Sequence, residues 1–255
     1  MPAASGYIRE PMAHVGGTEG AIKSKRLHPT PSAANYLHLR ALRAQIDAAR
    51  RRHLSGRTRL RMLDLGCGDR PYEPLFRGHV ETYIGVDYRA GPGVDVVAQA
   101  ESLPFPDATF DCVICSQVLE HADDPAAVIR ETSRVLRPCG VAFVSTHGVV
   151  NYHPNPDDFW RWTHTGLNRL LELNGHWSTV EVIPNGGTAS ALAYLGGRQA
   201  EVFAAKAGIA PLIRPAMLSL NITAWNLDRL YRRRYPRRPP DLSPSYLAIA
   251  VRQSP

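Results

Sequence analysis

The chain is poor in cysteine, and this argues against a cysteine-based metal site. It has four cysteines among 255 residues. Cys112 and Cys115 have C-x-x-C spacing, but no second pair exists, and both fall on a predicted strand whose side chains alternate between two faces. We therefore predict no bound metal. The thiols are expected to line the core or a pocket, in a reducing, cytoplasmic setting.

Long apolar runs are also missing. No uninterrupted stretch reaches the roughly 18 residues of a transmembrane helix, and the N-terminus lacks a charged region followed by an apolar run. Neither a membrane span nor a signal peptide is therefore expected. Hydrophobic residues make up 44% of the chain, which is ordinary for a globular protein. The length suits one α/β domain with additions.

The positive charge is distributed unevenly. Much of the net charge of +7 lies in residues 50–61 and 229–238. In the second cluster Tyr231 and Tyr235 interleave with arginines, which suits a phosphorylated acceptor, a nucleic acid or an anionic membrane surface. A solvated helix end is the alternative. No recognisable RNA-binding module accompanies the cluster, so nucleic acid is disfavoured. The arginines are Arg229, Arg232, Arg233, Arg234, Arg237 and Arg238.

A glycine loop follows the first predicted strand, where residues 63–69 read L-D-L-G-C-G-D. Gly66 and Gly68 allow a sharp turn and let a ligand lie against the main chain. The third glycine of a dinucleotide loop is absent. Asp64 and Asp69 would repel a pyrophosphate but attract the cationic amino group of a methionine moiety. The loop therefore favours S-adenosylmethionine over NAD.

A second apolar run, about twenty residues further on, ends in Asp87. A glycine turn after one strand and a carboxylate at the tip of the next form the usual arrangement for binding a nucleoside ribose. We expect Asp87 to accept hydrogen bonds from both ribose hydroxyls and Tyr88 to pack beside the adenine. The alternatives are a strand-end turn acid and a surface aromatic.

Four blocks between residues 59 and 146 occur in a recognisable order. They are residues 63–69, 86–88, 100–121 and 134–145. The third, AESLPFPDATFDCVICSQVLEH, is the most specific, because its L-P-F-x-D-x-x-F-D and V-L-E-H elements are hard to meet by accident. Together they resemble the class I S-adenosylmethionine-dependent methyltransferases, in the small-molecule group sometimes called type 11.

The resemblance implies a doubly wound, Rossmann-like α/β fold. Its sheet would be seven-stranded and mostly parallel, with helices on both faces and an antiparallel final strand. The link over 88–93 is too short for a helical crossover, so we predict a third strand that is short, at a sheet edge or poorly paired. Strands are predicted at 59–65, 81–87, 94–98, 109–115, 140–146, 178–184 and 245–252, and helices at 32–53, 71–77, 124–137 and 163–174.

The domain organisation predicted from the sequence has three parts. Residues 1–30 form a flexible leader, and residues 31–187 and 244–255 form the methyltransferase domain, with a capping helix over 31–55. Residues 188–243 form an insert of two or three helices before the last strand, serving as a lid, an acceptor-binding cap or an oligomer surface.

The resemblance also implies a set of cofactor contacts. Gln99 stands where the family often has an acid that accepts from the adenine amino group, and its amide oxygen can still accept. Ala100 would offer its backbone amide. Arg70 is expected either to form a local salt bridge or to bind the methionine carboxylate. The predicted cofactor residues are Asp64, Gly66, Cys67, Gly68, Asp87, Tyr88, Gln99, Ala100, Glu101, Cys115 and Ser116.

The segment after the fifth predicted strand is dense in titratable and aromatic side chains. We predict that it contacts the acceptor, the alternative being a surface loop whose tryptophans pack on the next helix. His153 or His147 would act as general base towards a hydroxyl, oriented by Asp157 or Asp158. The segment holds His147, Tyr152, His153, Asp157, Asp158, Trp160, Arg161, Trp162 and His164.

The predicted activity is methyl transfer from S-adenosylmethionine to a hydroxyl of a small-molecule or glycan-type acceptor. N- or C-methylation of a secondary metabolite is the alternative reaction. A non-catalytic cofactor-binding or scaffold protein and an RNA methyltransferase are alternatives of other classes. The oligomeric state is left open.

Overall fold

Seven strands form one sheet in the computed structural model, which describes residues 25–154 and 156–254. The sheet order is β3-β2-β1-β4-β5-β7-β6. Strand β7 runs antiparallel to both of its neighbours, and the other pairs are parallel. This confirms the predicted doubly wound sheet. The strands are β1 Leu60–Leu65, β2 Val80–Asp87, β3 Val96–Val97, β4 Phe110–Ser116, β5 Leu136–His147, β6 Trp177–Pro184 and β7 Ser245–Arg252.

Two of the described helices begin at a residue whose side chain caps the first turn. The Asp124 side chain accepts from the backbone N–H of Ala127 at 3.0 Å, and Thr163 does the same for Gly166 at 3.0 Å. Among the described helices none is long and apolar enough to cross a membrane. The helices are α1 Tyr36–Leu54, α2 Glu73–Phe76, α3 Pro125–Val135, α4 His164–Asn174, α5 Thr188–Lys206 and α6 Arg214–Arg234.

Two apolar layers cover the two faces of the sheet. Val113 and Cys115 of β4 point into a layer shared with α3 and α4. Their neighbours Cys112 and Ile114 point into the opposite layer, against α1 and α2. The prediction that the C-x-x-C pair splits between two faces is confirmed, and all four cysteines are free thiols. Full burial of each large aliphatic side chain contributes about 1.5–3 kcal/mol.

The third strand is short and lies at the sheet edge, as predicted. β3 has two residues and pairs only with β2. The link before it is fixed by Asp95, whose carboxylate accepts from the Gly85 N–H at 2.8 Å and whose own N–H donates to the Gly85 carbonyl at 2.9 Å. Polar contacts therefore replace the missing crossover helix.

Two helices, α5 and α6, form an antiparallel hairpin between β6 and β7. The Asp228 carboxylate on α6 accepts from the N–H groups of Gly187, Ala189 and Ser190, at 2.9–3.0 Å. A carboxylate at this place caps the N-terminus of α5 and complements its dipole. The division into domain and insert stays a prediction. Residues 1–24 of the predicted leader lie outside the described residues.

Gly93 packs too closely against the glycine loop to accept a side chain. A Cβ atom on Gly93 would lie 2.3 Å from the carbonyl oxygen of Gly68, whereas one on Gly91 would meet only Val94, at 3.7 Å. We predict that Gly93→Ala lowers the free energy of unfolding by about 1–3 kcal/mol. Gly91→Ala, the matched control, should change it by less than about 0.5 kcal/mol. Urea unfolding of both variants is the measurement, and equal stabilities would contradict the packing.

Candidate active site

A cavity of about 1120 Å³ opens at the carboxyl ends of the parallel strands. Leu65 at the end of β1, Asp87 at the end of β2 and His147 at the end of β5 line it. Ligands of doubly wound sheets bind at this edge. Pockets for one small molecule usually occupy about 300–1,000 Å³, so this cavity has room for a cofactor and an acceptor together.

Two glycines of the loop line the cavity, and both have a left-handed backbone conformation. Gly66 has φ +67° and Gly68 has φ +48°, a region that favours glycine. A Cβ atom on Gly66 would lie 2.2 Å from the Val118 side chain. Both backbone conformation and space therefore require glycine at position 66.

The loop is tied to β2 by three backbone amides. Gly66 and Cys67 both donate to the carbonyl of Val86, at 2.8 and 3.0 Å. Gly68 donates to Asp87 Oδ2 at 3.0 Å. Asp87 is thus held beside the loop with accepting capacity to spare, because a carboxylate has about four lone-pair sites.

Seven of the eleven predicted cofactor residues line the cavity. Besides the loop and Asp87, they come from the end of β2 and from the segment that follows β3. Tyr88 carries the Arg89 guanidinium 4.7 Å from its ring centroid, and Glu101 accepts from the Asp123 N–H at 3.2 Å. The seven are Gly66, Gly68, Asp87, Tyr88, Gln99, Ala100 and Glu101.

Asp64 and Cys67 do not line the cavity, although the sequence predicted both as cofactor contacts. Asp64 is buried and accepts a hydrogen bond from the Tyr83 hydroxyl at 2.7 Å. Burial raises its pKa to about 7. The Cys67 thiol points to the carbonyl of Gly93 at 3.1 Å, and burial raises its pKa to about 12. Both side chains support the loop from behind.

Cys115 and Ser116 also lie outside the cavity lining, and the next residue takes their place. Cys115 is fully buried in the core because of the alternation along β4. The Ser116 and Ser145 hydroxyls pair at 2.9 Å. Gln117 lines the cavity with φ +60°. A non-glycine residue in this region is uncommon, and such residues cluster at functional sites. Its signal in the sequence is its place directly after Cys115 and Ser116, at the carboxyl edge of the sheet.

Arg70 makes the local salt bridge, which was one of its two expected roles. Its guanidinium pairs with the carboxylate of Asp95, and its Nε donates to the Gly93 carbonyl at 2.5 Å. The side chain therefore joins the glycine loop to the link before β3. It is not among the cavity-lining residues.

Three histidines meet at the other end of the cavity, and all three line it. The ring of His153 lies 5.0 Å from that of His121 and 4.7 Å from that of His147. His153 Nδ1 is 3.3 Å from Asp158 Oδ2. His121 Nδ1 lies 2.7 Å from the carbonyl oxygen of Asp157 and donates to it. Of the two predicted orienting acids, Asp158 is thus the one whose carboxylate reaches a histidine.

The loop that follows β5 is hydrogen-bonded to the V-L-E-H segment through residues 159 and 160. The N–H groups of Phe159 and Trp160 donate to the carbonyl of Glu120, at 2.8 and 3.2 Å. Trp160 Nε1 donates to the carbonyl of Ala122 at 2.8 Å. The rings of Trp160 and Trp162 stack with centroids 6.0 Å apart. These contacts fix residues 159–162 against the segment that carries Glu120 and Ala122.

Glu120 and His147 form a buried pair that sequence reasoning missed. His147 Nδ1 lies 3.3 Å from Glu120 Oε1, and the Thr146 hydroxyl donates to Glu120 Oε2 at 2.9 Å. Burial raises the pKa of Glu120 to about 7 and lowers that of His147 to about 2. At neutral pH His147 is therefore uncharged and a very weak base. The V-L-E-H motif was the available signal.

His153 differs from His147 in exposure and in its partner. Its side chain is 42% exposed. Burial lowers its pKa, the Asp158 carboxylate opposes that shift, and His121 adds to it. Burial alone would raise the pKa of Asp158, but hydrogen bonds from Arg161 and from the His153 N–H lower it to about 2. An ionised acid thus stands behind an accessible, neutral imidazole.

His147, His153 and Asp158 also have the spacing of a metal site, since their ligand atoms lie within 4.8 Å of one another. Both oxygens of Asp158, however, accept from Arg161 at 2.5 Å. The guanidinium already supplies the positive charge that a cation would bring.

The chain belongs to the S-adenosylmethionine-dependent methyltransferases, because a family model described as a methyltransferase domain matches residues 36–182. This span includes the seven predicted cofactor residues that line the cavity, together with His121, His147 and His153. The cofactor is S-adenosylmethionine, and the protein is an enzyme of the transferase class.

Similar proteins agree with this assignment. A probable S-adenosylmethionine-dependent methyltransferase of Mycolicibacterium smegmatis is 32% identical over 75% of this chain and 81% of its own. A ubiquinone biosynthesis O-methyltransferase of Pseudomonas aeruginosa is 36% identical, but over only 43% of this chain and 42% of its own. The crystal structure of the [4+2]-cyclase SpnF has a TM-score of 0.53 at 20% identity, covering 83% and 82% of the two chains. It shares the fold.

The raised pKa of Asp64 gives the free energy of unfolding a pH dependence. Its folded-state pKa of about 7 exceeds the unfolded value of about 3.9, so the folded state binds this proton more tightly. The stability contribution is fully present below about pH 4 and is lost as the pH rises through 7. We predict that Asp64→Asn removes this part of the slope, leaves the part due to Glu120, whose pKa is also raised to about 7, and gains stability over the wild type between pH 5 and 8.

Urea unfolding at several pH values measures this effect. The exposed Asp123 provides the control, because Asp123→Asn should keep the slope of the wild type. A slope that persists unchanged in Asp64→Asn would contradict the assignment.

Proposed function

We propose that this methyltransferase transfers the methyl group of S-adenosylmethionine to a hydroxyl of a small-molecule or glycan-type acceptor. The observation that carries the proposal is the position of His153. It lies half-exposed in the same cavity as the glycine loop and Asp87, with an ionised carboxylate behind it.

In this proposal Asp87 binds the two ribose hydroxyls, and the loop amides face the methionine end. Tyr88 and Gln99 flank the adenine, with the Ala100 N–H and Glu101 beside them. The support is that all of these residues line the same cavity. Asp64, Cys67, Cys115 and Ser116 act from behind that lining, because they are not part of it.

The chemistry asked of the protein is modest. Displacement at a sulfonium methyl is in line and the leaving group is already activated, so alignment and desolvation contribute most. A hydroxyl must also lose a proton. His153 takes it, and Asp158 orients the ring and stabilises the imidazolium that forms. His147 is a poor base because its pKa is about 2.

N- or C-methylation is the alternative, and it needs no base when the acceptor atom is already nucleophilic. The histidine and acid pair favours the hydroxyl, and one similar protein is named an O-methyltransferase. A non-catalytic scaffold would not require an accessible histidine in the same cavity as the glycine loop and Asp87. The cytoplasmic setting inferred from the free thiols stays a prediction.

Cofactor binding is tested by calorimetric titration with S-adenosylmethionine. Two hydrogen bonds to a charged group contribute about 1.5–3 kcal/mol each, so Asp87→Ala should weaken binding at least about a hundredfold. Asp107→Ala, outside the cavity lining, should leave the affinity unchanged. Unaltered affinity in Asp87→Ala would refute the site, and no binding to the wild type would favour a scaffold.

The base is tested by the pH profile of methyl transfer from labelled S-adenosylmethionine to a panel of phenol and sugar hydroxyls. His153→Asn should lower kcat/KM by about 10²–10⁴, and exposed His176→Asn should not. The acid limb should lie below pH 6.5, because the pKa of His153 is lowered. Asp158→Asn should move that limb to still lower pH. A profile unchanged in both site variants would rule out this base.

A further inference from the structure

Exposed apolar side chains are concentrated on the α5–α6 hairpin. Twelve of the eighteen large apolar side chains exposed in the described residues lie between Leu192 and Tyr235. Leu212 is 75% exposed, Phe203 69% and Leu230 60%. Monomeric globular proteins rarely leave so much apolar surface in one place unless it binds something.

These side chains are not needed for packing within the chain. Helix α6 packs through Met217, Asn221, Ala224 and Asp228, which recur at helical spacing and share one face. Leu220, Leu227 and Leu230 are exposed, and their spacing of seven and three residues puts them together on another face. The helix therefore has a second apolar stripe without a partner among the described residues.

The region between β6 and β7 also carries most of the net positive charge of the chain. Residues 188–243 contain nine lysines and arginines but three acids, a net charge of +6 out of +7 for the chain. Asp228 is buried and caps α5. Within the described part of the chain, Arg238 is the one arginine of the 229–238 cluster that has an ion pair, with Asp241 at 2.9 Å. In the described residues, no ion pair therefore offsets the positive charge of the other arginines of the cluster.

Aromatic rings accompany the arginines. The Arg229 guanidinium lies 5.4 Å from the ring centroid of Trp225, and that of Arg234 lies 5.3 Å from Tyr235. Tryptophan, tyrosine and arginine beside an apolar stripe are the features of helices that lie in a membrane–water interface. A second copy of the chain would instead bring two strongly positive surfaces together.

The hairpin adjoins the cavity. Ala210 and Ile213 at its tip line the cavity, whereas Ile209 and Leu212 beside them are exposed. A surface that covers the tip therefore also meets the edge of the cavity.

We propose that the α5–α6 hairpin docks in the plane of an anionic lipid bilayer. Its leucines and Phe203 enter the apolar boundary, and the arginines of residues 229–238 contact the lipid headgroups. Docking does not depend on methyl transfer. Delivery of an amphipathic acceptor from the bilayer into the cavity rests on the proposed function.

The test is flotation of the full chain with vesicles of phosphatidylcholine alone or mixed equally with phosphatidylglycerol. The protein should float with the anionic vesicles and be released by high salt. Arg232→Gln, Arg233→Gln and Arg234→Gln combined should weaken binding on the order of a hundredfold. Leu227→Ser with Leu230→Ser should also weaken it. Leu173→Ser, 67% exposed on α4, should not.

Three outcomes would overturn the proposal. They are no binding to anionic vesicles, binding that neither hairpin variant weakens, and a dimer in light scattering that the leucine variant dissociates. The last would make the stripe a self-association surface. Calorimetry with S-adenosylmethionine on each variant separates these results from the cofactor site, which docking variants should leave intact. Vesicle binding without any methyl transfer would count against the proposed function alone.

Discussion

The site depends on one junction between neighbouring strands, where two loop amides share a single carbonyl. Leu65 of β1 stands opposite Val86 of β2, and in this register the amides of Gly66 and Cys67 reach the Val86 oxygen. The next amide, that of Gly68, then meets the carboxylate of Asp87. A slip of one residue would turn every side chain of β2 to the opposite face. The position of Asp87 and the glycine turn are therefore set by one strand pairing.

The acceptor end is organised by a different kind of contact. The histidines come from three separate segments: the V-L-E-H motif, the end of β5 and the loop after it. The carbonyl of Glu120 receives two amides from that loop, and its buried side chain faces His147. Glu120 thus joins the three segments, so that the half-exposed His153 lies in the cavity that the glycine loop also lines.

The fold and the segments that line the cavity were predictable from the sequence because their signals are local. Alternation along β4 correctly separated Cys112 from Cys115, and the short link before residue 94 correctly indicated a short edge strand. Proximity to a motif, however, does not say which way a side chain points. Asp64 accepts from the Tyr83 hydroxyl, Cys115 is buried in the core and Ser116 pairs with Ser145, so none of them is among the residues that line the cavity.

Features that depend on distant contacts could not be derived from local pattern. The loop after β5 is positioned by the N–H groups of Phe159 and Trp160, which donate to the carbonyl of Glu120. No periodicity in the sequence indicates such a pairing. The helix predicted at 71–77 shortened to the single turn of α2. Arg70 has φ 53°, which is not helical, and its side chain pairs with Asp95. The helix therefore cannot begin directly after Arg70. The exposed apolar stripe of α6 could not be predicted either, because the sequence pattern does not say which apolar face of a helix is packed.

The most direct test of the proposed site is a crystal structure of the protein with S-adenosylhomocysteine. We expect the ribose hydroxyls to bind the carboxylate of Asp87 and the sulfur to face the space in front of His153. A ribose bound away from Asp87, or a sulfur directed away from the histidine cluster, would contradict it.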